Sequence, residues 1–435
     1  MRSAGELPRR LGLLDSAAIV VGTIIGSGIF VVPNLVARHL PSAPWIVAVW
    51  VFSGLLSFFG ALAYAELGAM MPATGGQYVF LREAYGPLFG FLCGWTNLFV
   101  VISAAIAWLS ITFATYLGYF VPLTPLVSKA VAVGLIAAVT LVNYRGVMLG
   151  AGVQKTFTLI KVLGLAVLVG AAFMGAPRDA VAGDLTAAGA VTPSGFGVAM
   201  IACLLSYDGW VALSYVAGEV KEPKRTLPLA LALGLALATG VYVLANVAYL
   251  RVLTVAEIAA TPRVGELVAG RTMGHAGGVF VSIAILLSIV GAINGWAMTA
   301  PRIYFAQARD GLFFRRFAAI HPRFQTPHLA ILMFGAWSAL LALTGTYETL
   351  ASYAMYAAWV FYGLTALGVV VLRRAQPLRV RPYRMTGYPV TLVAFAAVAL
   401  GFVVNTFPAT PGPAIVGTML ITAGVPVYFI WKRQG

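Results

Sequence analysis

Charge is what this 435-residue chain has least of: 9% of its residues are Asp, Glu, Lys or Arg, against 61% hydrophobic. Soluble domains are about a quarter charged, so an ordinary soluble enzyme or binding module is excluded and the composition is that of a polytopic membrane protein. Acidic residues are the scarcest, 13 against 28 basic ones, and the formal net charge is +15. That excess does not mark a nucleic-acid binder, because the basic residues sit in short clusters between apolar runs. Cysteine occurs only twice, as Cys93 and Cys203, both inside apolar runs. No loop thiol is on hand for a disulfide framework or a covalent bridge to a partner subunit. The four histidines, His39, His275, His321 and His328, fall in loops or at the ends of apolar runs, which leaves no intramembrane cluster for a metal or a general base and argues against a membrane-embedded enzyme. No cofactor is expected either: Gly26-Ser27-Gly28 lacks the third glycine and the strand of a dinucleotide fingerprint.

What is there in abundance is apolar sequence. A span needs roughly 20 mainly apolar residues, and twelve such segments are present: 15–38, 44–71, 86–118, 129–146, 153–175, 195–217, 228–250, 276–300, 328–345, 348–372, 388–407 and 411–431. No short apolar stretch with a small-residue cleavage site precedes Gly22, so the first segment reads as a span and not as a secretory signal. Lys and Arg set the orientation. With the N-terminus in the cytoplasm, 21 of the 28 basic residues lie inside, Arg302 and the cluster from Arg373 to Arg384 among them. Six lie outside, Lys161 lies within a span, and an even number of spans returns the C-terminus to the cytoplasm.

The first span is interrupted at Gly22-Thr23-Ile24-Ile25-Gly26-Ser27-Gly28-Ile29-Phe30. In hydrocarbon every backbone N–H and C=O must find a partner, so such a stretch survives only if it is buried in protein or lines a cavity. A break exposes the N–H groups of the following half-helix, which can hold a carboxylate, and the carbonyls of the preceding half, which can hold an ammonium. The competing reading is a close-packing face of the small-xxx-small kind at Gly22 and Gly26. The sixth span repeats the oddity with Leu204-Leu205-Ser206-Tyr207-Asp208-Gly209-Trp210. Two interrupted spans five positions apart are what an inverted repeat of five plus five helices gives, with substrate held between the breaks. The expected organisation is a single transporter domain: a cytoplasmic segment 1–14, a first repeat 15–175, a second repeat 195–372 and two further helices in 388–431. The loop from Glu66 to Tyr78 reads as a re-entry leading into a short amphipathic element at the inner surface. The mixed charges from Gly218 to Pro228 read either as salt bridges closing the inner side or as a solvated anchor, and the small, polar stretch 174–194 as a mobile external loop.

These pieces together resemble the amino acid-polyamine-organocation superfamily and, within it, the L-type amino acid transporter family. The residues that carry the resemblance are 22–30, the Tyr-Ala-Glu-Leu-Gly from Tyr64 with its following Pro and Gly-Gly to Gly76, Tyr207-Asp208-Gly209-Trp210, and Glu219-Val220-Lys221 with the run to Pro228. The resemblance implies a LeuT-type fold and alternating-access transport of L-amino acids, often by exchange. By it, N–H groups around Ser27 and Gly28 and the Ser27 hydroxyl take the substrate carboxylate, while carbonyls of Thr23, Ile24, Leu205 and Ser206 take the ammonium, with Gly26 in the same break. Eukaryotic relatives carry an external cysteine joined to a glycoprotein; this chain lacks one, which implies that it works without a heavy subunit.

Five positions keep alternatives at this level. Lys161 is either a built-in substitute for the sodium ion of other LeuT-type carriers, tying span five to the first break, or a snorkelling side chain. Asp208 contacts a cationic substrate, carries a coupling proton or caps the second half of the broken helix. Trp296 lines the side-chain pocket or packs. Tyr207 and Trp210 form an aromatic wall or gate, although the position before Ser206, often aromatic in relatives, is Leu205. The reading is a twelve-span carrier of neutral L-amino acids in the bacterial cytoplasmic membrane, with the lipid bilayer and a small-molecule substrate as its partners. The alternatives are a cationic amino acid or polyamine carrier, a proton-coupled permease, and an amino-acid sensor without transport.

Overall fold

The computed structural model describes residues 6–174, 191–345, 347–409 and 411–434. All the regular elements in them are helical apart from one isolated parallel bridge between Leu11 and Val220. In chain order they are α1 (Leu13–Ile24), α2 (Gly28–His39), α3 (Ala43–Met70), α4 (Gln77–Tyr85), α5 (Pro87–Thr96), α6 (Ile102–Leu117), α7 (Pro125–Tyr144), α8 (Val147–Met174), α9 (Pro193–Ser206), α10 (Ala212–Tyr215), α11 (Pro223–Val252), α12 (Val255–Ala260), α13 (Val264–Met273), α14 (His275–Thr299), α15 (Pro301–Arg309), α16 (His328–Thr344), α17 (Tyr347–Ala375), α18 (Val390–Ala409) and α19 (Pro411–Gln434). Among the described residues, nine helical runs are long and apolar enough to cross a membrane. The pair α1 and α2, bent by 44°, makes one more, and α9 and α16 are shorter apolar helices. All of them fall on the segments read from the sequence as spans. The chain is an all-helical, multi-pass membrane protein. The expected loop at 174–194 lies, but for its ends, outside the described residues.

Three features depart from the sequence reading. The third span widens into a π turn at Asn97–Val101, between α5 and α6. Such a turn loosens the hydrogen-bond ladder, and Asn97 Nδ2 donates to the Cys93 carbonyl at 2.8 Å there. The loop after α11 carries two helices, α12 and α13, packed over α2. Asn34 donates to the carbonyls of Ile258 and Ala259, both at 2.9 Å. In this loop the hydrogen bond from Arg271 holds the Glu257 carboxyl down at about 2, far below the ordinary glutamate range. The third departure is Arg302. Counted from the sequence as an inside loop charge, it is fully buried, because α14 continues through Ala300 into α15 and carries the residue inward.

Arg302 meets Glu219, also fully buried, at 2.8 Å. Within the 218–228 loop, then, Glu219 forms a buried salt bridge, while Lys221, Glu222, Lys224 and Arg225 are exposed. The N-terminal segment is sewn onto the same residue. Arg10 N and Leu11 N donate to the Glu219 carbonyl at 2.7 and 2.9 Å, and Lys221 N returns a bond to the Leu11 carbonyl at 2.8 Å. Two further clamps lie on this face. Arg373 of α17 donates to both carboxylate oxygens of Glu66 at the end of α3. Asp310 accepts from Tyr78 at 2.6 Å and pairs with Arg82, both on α4, the short helix expected after the re-entry.

Breaking a buried ion pair at one end leaves an uncompensated charge and costs about 3–5 kcal/mol. Arg302→Met should therefore sharply lower the thermal midpoint of the detergent-purified protein, and Glu219→Leu combined with Arg302→Met should recover most of the loss. An Arg302→Met protein as stable as the parent would remove this pair from the account of the closed face.

Candidate functional site

The site grows out of two helix ends. α1 stops at Ile24 because Ile25 turns to an extended conformation, φ −74° and ψ 92°, and α2 starts at Gly28. A first helical turn leaves its N–H groups without intrahelical acceptors; those of Ser27, Gly28 and Ile29 have no hydrogen-bond partner among the described residues. α9 ends at Ser206, and the chain then turns through Gly209 at φ 128°. A Cβ on Gly209 would stand 2.7 Å from the Thr23 carbonyl carbon. Only glycine lets the second break press this closely on the first. The Thr23 hydroxyl lies 3.0 Å from the Gly209 carbonyl, and the Tyr242 hydroxyl of α11 lies 2.8 Å from the Ile24 carbonyl and 3.0 Å from that of Ser206. One hydroxyl thus bridges the C-terminal ends of α1 and α9.

Between these ends lies a cavity of about 290 Å³, lined by Thr23, Ile24, Gly26, Ser27 and Gly28 from the first break, and by Leu205, Ser206 and Asp208 from the second. Trp296 and Ala292 of α14 and Trp108, Leu109 and Thr112 of α6 complete much of the wall. The space extends along α2 and α6, away from the clamps around Glu219 and Glu66. Its floor carries N–H groups at one helix start and carbonyls at two helix ends, a combination suited to a small molecule with an anionic and a cationic group side by side. A second cavity of about 380 Å³ lies on the clamped face, among Arg9, Thr74, Arg82, Gly218 and Arg309. Among the described residues, no group of three or more His, Cys, Asp or Glu side chains could hold a metal ion.

Gly22 and Gly26 divide the two readings of their motif. A Cβ on Gly22 would fall 2.0 Å from Gln154 Nε2, so this glycine admits close packing of α8, whereas Gly26 lies in the break with only Ala292 within 4.0 Å. Lys161 of α8 does not snorkel. It is 2% exposed, and its ammonium donates to the carbonyls of Gly22 at 2.9 Å, Ile25 at 2.6 Å and Ser288 at 3.0 Å. Three donors meet three acceptors, two of them from the broken stretch of the first span.

Asp208 does not cap the following half-helix: α10 begins after Val211, and Asp208 Oδ1 accepts from Tyr362 of α17 at 2.7 Å. Tyr207 and Trp210, expected as wall or gate, are not among the residues lining the cavity. Tyr207 is fully buried against Trp50 and Tyr242, with its hydroxyl on the Trp50 carbonyl at 3.0 Å. Trp210 packs behind the cavity on Tyr64 and Tyr362. Both rings pack into the protein, on either side of the turn through Gly209. The sequence reading missed Tyr242, Ser288, Tyr362 and Trp108. Ser288 and Tyr242 carried one weak signal, a polar group in mid-span; Trp108 and Tyr362 carried none that separates them from packing aromatics.

With this geometry in view, the chain matches the family model described as amino acid permease over residues 11–431. It is similar to b(0,+)-type amino acid transporter 1 of Mus musculus, 34% identical over 379 residues that cover 85% of this chain and 77% of the relative. It is 30% identical over 432 residues to the serine/threonine exchanger SteT of Bacillus subtilis (strain 168), covering 98% of each. Asc-type amino acid transporter 1 of Homo sapiens is 31% identical over 446 residues, 98% of this chain and 84% of the relative.

Removing the ammonium of Lys161 should loosen the first break. Orphaning a buried hydrogen-bonding group costs about 1–3 kcal/mol; Lys161→Met strips a donor from three carbonyls at once, of which that of Ile25 keeps the Ser288 hydroxyl. The expected result is a clearly lower thermal midpoint, measured in detergent. A midpoint equal to that of the parent would mean that the break is held by Tyr242, the Ser288 hydroxyl and packing without Lys161.

Proposed function

This chain belongs to the amino acid permease family, and from that premise we propose that it exchanges small neutral L-amino acids across the bacterial cytoplasmic membrane by alternating access. It is a permease and not an enzyme. The observation that carries the proposal is the convergence of unpaired N–H groups at the start of α2 with the carbonyl ends of α1 and α9 on one cavity. The substrate carboxylate sits on the N–H groups of Ser27 and Gly28 with the Ser27 hydroxyl. Its ammonium sits on carbonyls of Thr23, Ile24, Leu205 and Ser206, of which Ile24 and Ser206 share the Tyr242 hydroxyl. Its side chain points to Trp108, Leu109 and Trp296. A volume of about 290 Å³ is at the small end for small-molecule sites, which supports a small substrate. Lys161 serves as a resident cation that fixes the first break.

The proposed topology has twelve spans with both termini cytoplasmic, repeats at 15–175 and 195–372, and two further helices in 388–431. Closure of the N-terminal face by the Glu219–Arg302 and Glu66–Arg373 pairs, with the cavity extending the other way, supports an outward-facing state. Both cysteines are buried, which supports a transporter that works without a disulfide-linked partner. One observation favours a second reading. Asp208 lines the cavity and has a tyrosine but no cationic partner among the described residues, so a cationic substrate side chain would find a carboxylate there.

Proteoliposomes loaded with unlabelled serine should take up labelled serine at least several-fold faster than empty ones, with arginine a poor substrate. A Cβ on Gly28 would stand 2.7 Å from Ser206 Oγ, so Gly28→Ala should cut this exchange at least tenfold at unchanged membrane level. Binding without flux would turn the reading to a sensor. Arginine exchange abolished by Asp208→Asn would establish the second reading in place of the first.

A further inference from the structure

Residues 376–389, between α17 and α18, are tightly pinned although they form no helix. Arg381 is the peg. Its guanidinium, 6% exposed, donates to the carbonyls of Leu372 and Gln376 at 2.9 Å, Arg379 at 2.8 Å and Pro377 at 3.3 Å. It thereby adds a side-chain donor at the end of α17 and along the turn after it, where Gln376 N already donates to the Leu372 carbonyl and Arg379 N to that of Gln376. Further along, Met385 N donates to Glu66 Oε2 at 2.6 Å. A backbone pinned at both places has little freedom to tuck its side chains away, yet it holds Leu378 at 96% exposure and Val380 at 76%. On either side of them in sequence, Arg374 and Arg384 are exposed and have no carboxylate partner among the described residues. Arg379, between the two aliphatic residues, is taken up by Glu83 at 3.6 Å and by Gln376.

The two helices that enter and leave this loop are both apolar enough to cross a membrane, so the loop sits where spans emerge into the headgroup layer. That layer suits both kinds of side chain at once, with acyl chains for Leu378 and Val380 and phosphates for the guanidiniums. We propose that the 374–384 stretch is a docking surface for anionic phospholipid, with Leu378 and Val380 seated among the upper acyl chains and Arg374 and Arg384 on the headgroup phosphate. Charge complementarity and continuity with the bilayer-facing helices select this occupant. Because Met385 and Arg373 both hold Glu66, a lipid seated here abuts the clamp that joins α3 to α17.

The test uses Leu378→Cys in the otherwise unchanged full chain, whose own Cys93 and Cys203 are buried, carrying a thiol-reactive fluorophore. The protein is reconstituted in vesicles of phosphatidylcholine and phosphatidylglycerol in which one or the other, at equal mole fraction, bears bromine on its acyl chains as a quencher. Brominated phosphatidylglycerol should quench at least twofold more than brominated phosphatidylcholine, and Arg374→Gln with Arg384→Gln should equalise them. Absence of quenching by either lipid, equal quenching in the parent, or a preference that survives the double substitution would each overturn the proposal. The readout does not depend on transport or on which way the protein is inserted, so its failure leaves the permease reading untouched, and a failure of exchange leaves the lipid contact untouched.

Discussion

Every backbone polar group held in hydrocarbon needs a partner, and the break between α1 and α2 is the place where this chain can meet that demand only by importing one. Lys161 supplies three N–H donors to three carbonyls, and Tyr242 lends one hydroxyl to two helix ends. The remaining N–H groups at the start of α2 are left facing the cavity. Those open N–H groups are ones a ligand can satisfy, whereas the carbonyls of Ile24 and Ser206 already meet the Tyr242 hydroxyl. A lysine suits this role because its head is a compact point charge on a flexible stem that can donate in three directions. An arginine's planar fork would not meet carbonyls spread over Gly22, Ile25 and Ser288.

The charged clamps are distributed with the same asymmetry. Glu219–Arg302, Glu66–Arg373 and the α4 contacts to Asp310 all lie on the face that carries the N-terminal segment, while the cavity runs the other way. The fully buried Glu219–Arg302 pair is not to be read as stabilising in itself, since desolvation consumes much of the attraction. Its worth is geometric. It fixes Glu219, and the carbonyl of Glu219 in turn is the acceptor onto which Arg10 and Leu11 are bonded.

Much of this was legible because membrane burial writes itself into composition. Apolar runs marked the spans, and glycine with serine at mid-span marked both breaks, so that Thr23, Ile24, Gly26, Ser27, Gly28, Leu205, Ser206, Asp208 and Trp296 do line one cavity. What failed to show was direction. Tyr207 lies between the lining residues Ser206 and Asp208, and Trp210 two residues past Asp208, yet both rings go into the packing, and no periodicity rule reaches across a non-helical turn. Arg302 looked like a topology charge because sequence cannot distinguish a loop from a helix that continues inward through a proline at its first position. Tyr242 and Tyr362 were hidden among 18 tyrosines. Their roles depend on which face of α11 and α17 meets a break, and that is a property of packing between elements far apart in sequence.

The site and the clamps are joined by rods. α17 carries Tyr362, bonded to Asp208, and eleven residues further on Arg373, bonded to Glu66; at 1.5 Å per residue the two lie about 16 Å apart along one helix. The run from His275 to Arg309 carries Ser288 at the first break, Trp296 on the cavity wall and Arg302 at the buried pair. Helices are stiff over such lengths, so an opening of the clamped face that moved Arg302 or Arg373 would also move a group that lines or braces the cavity. Filling the cavity acts back on the clamps by the same rods, because coupling between two sites is reciprocal. A carrier that must not open to both sides at once needs a mechanical link between gate and site, and the alternating access proposed above would find one in these two helices, each of which carries a clamp residue and a residue that lines or braces the cavity.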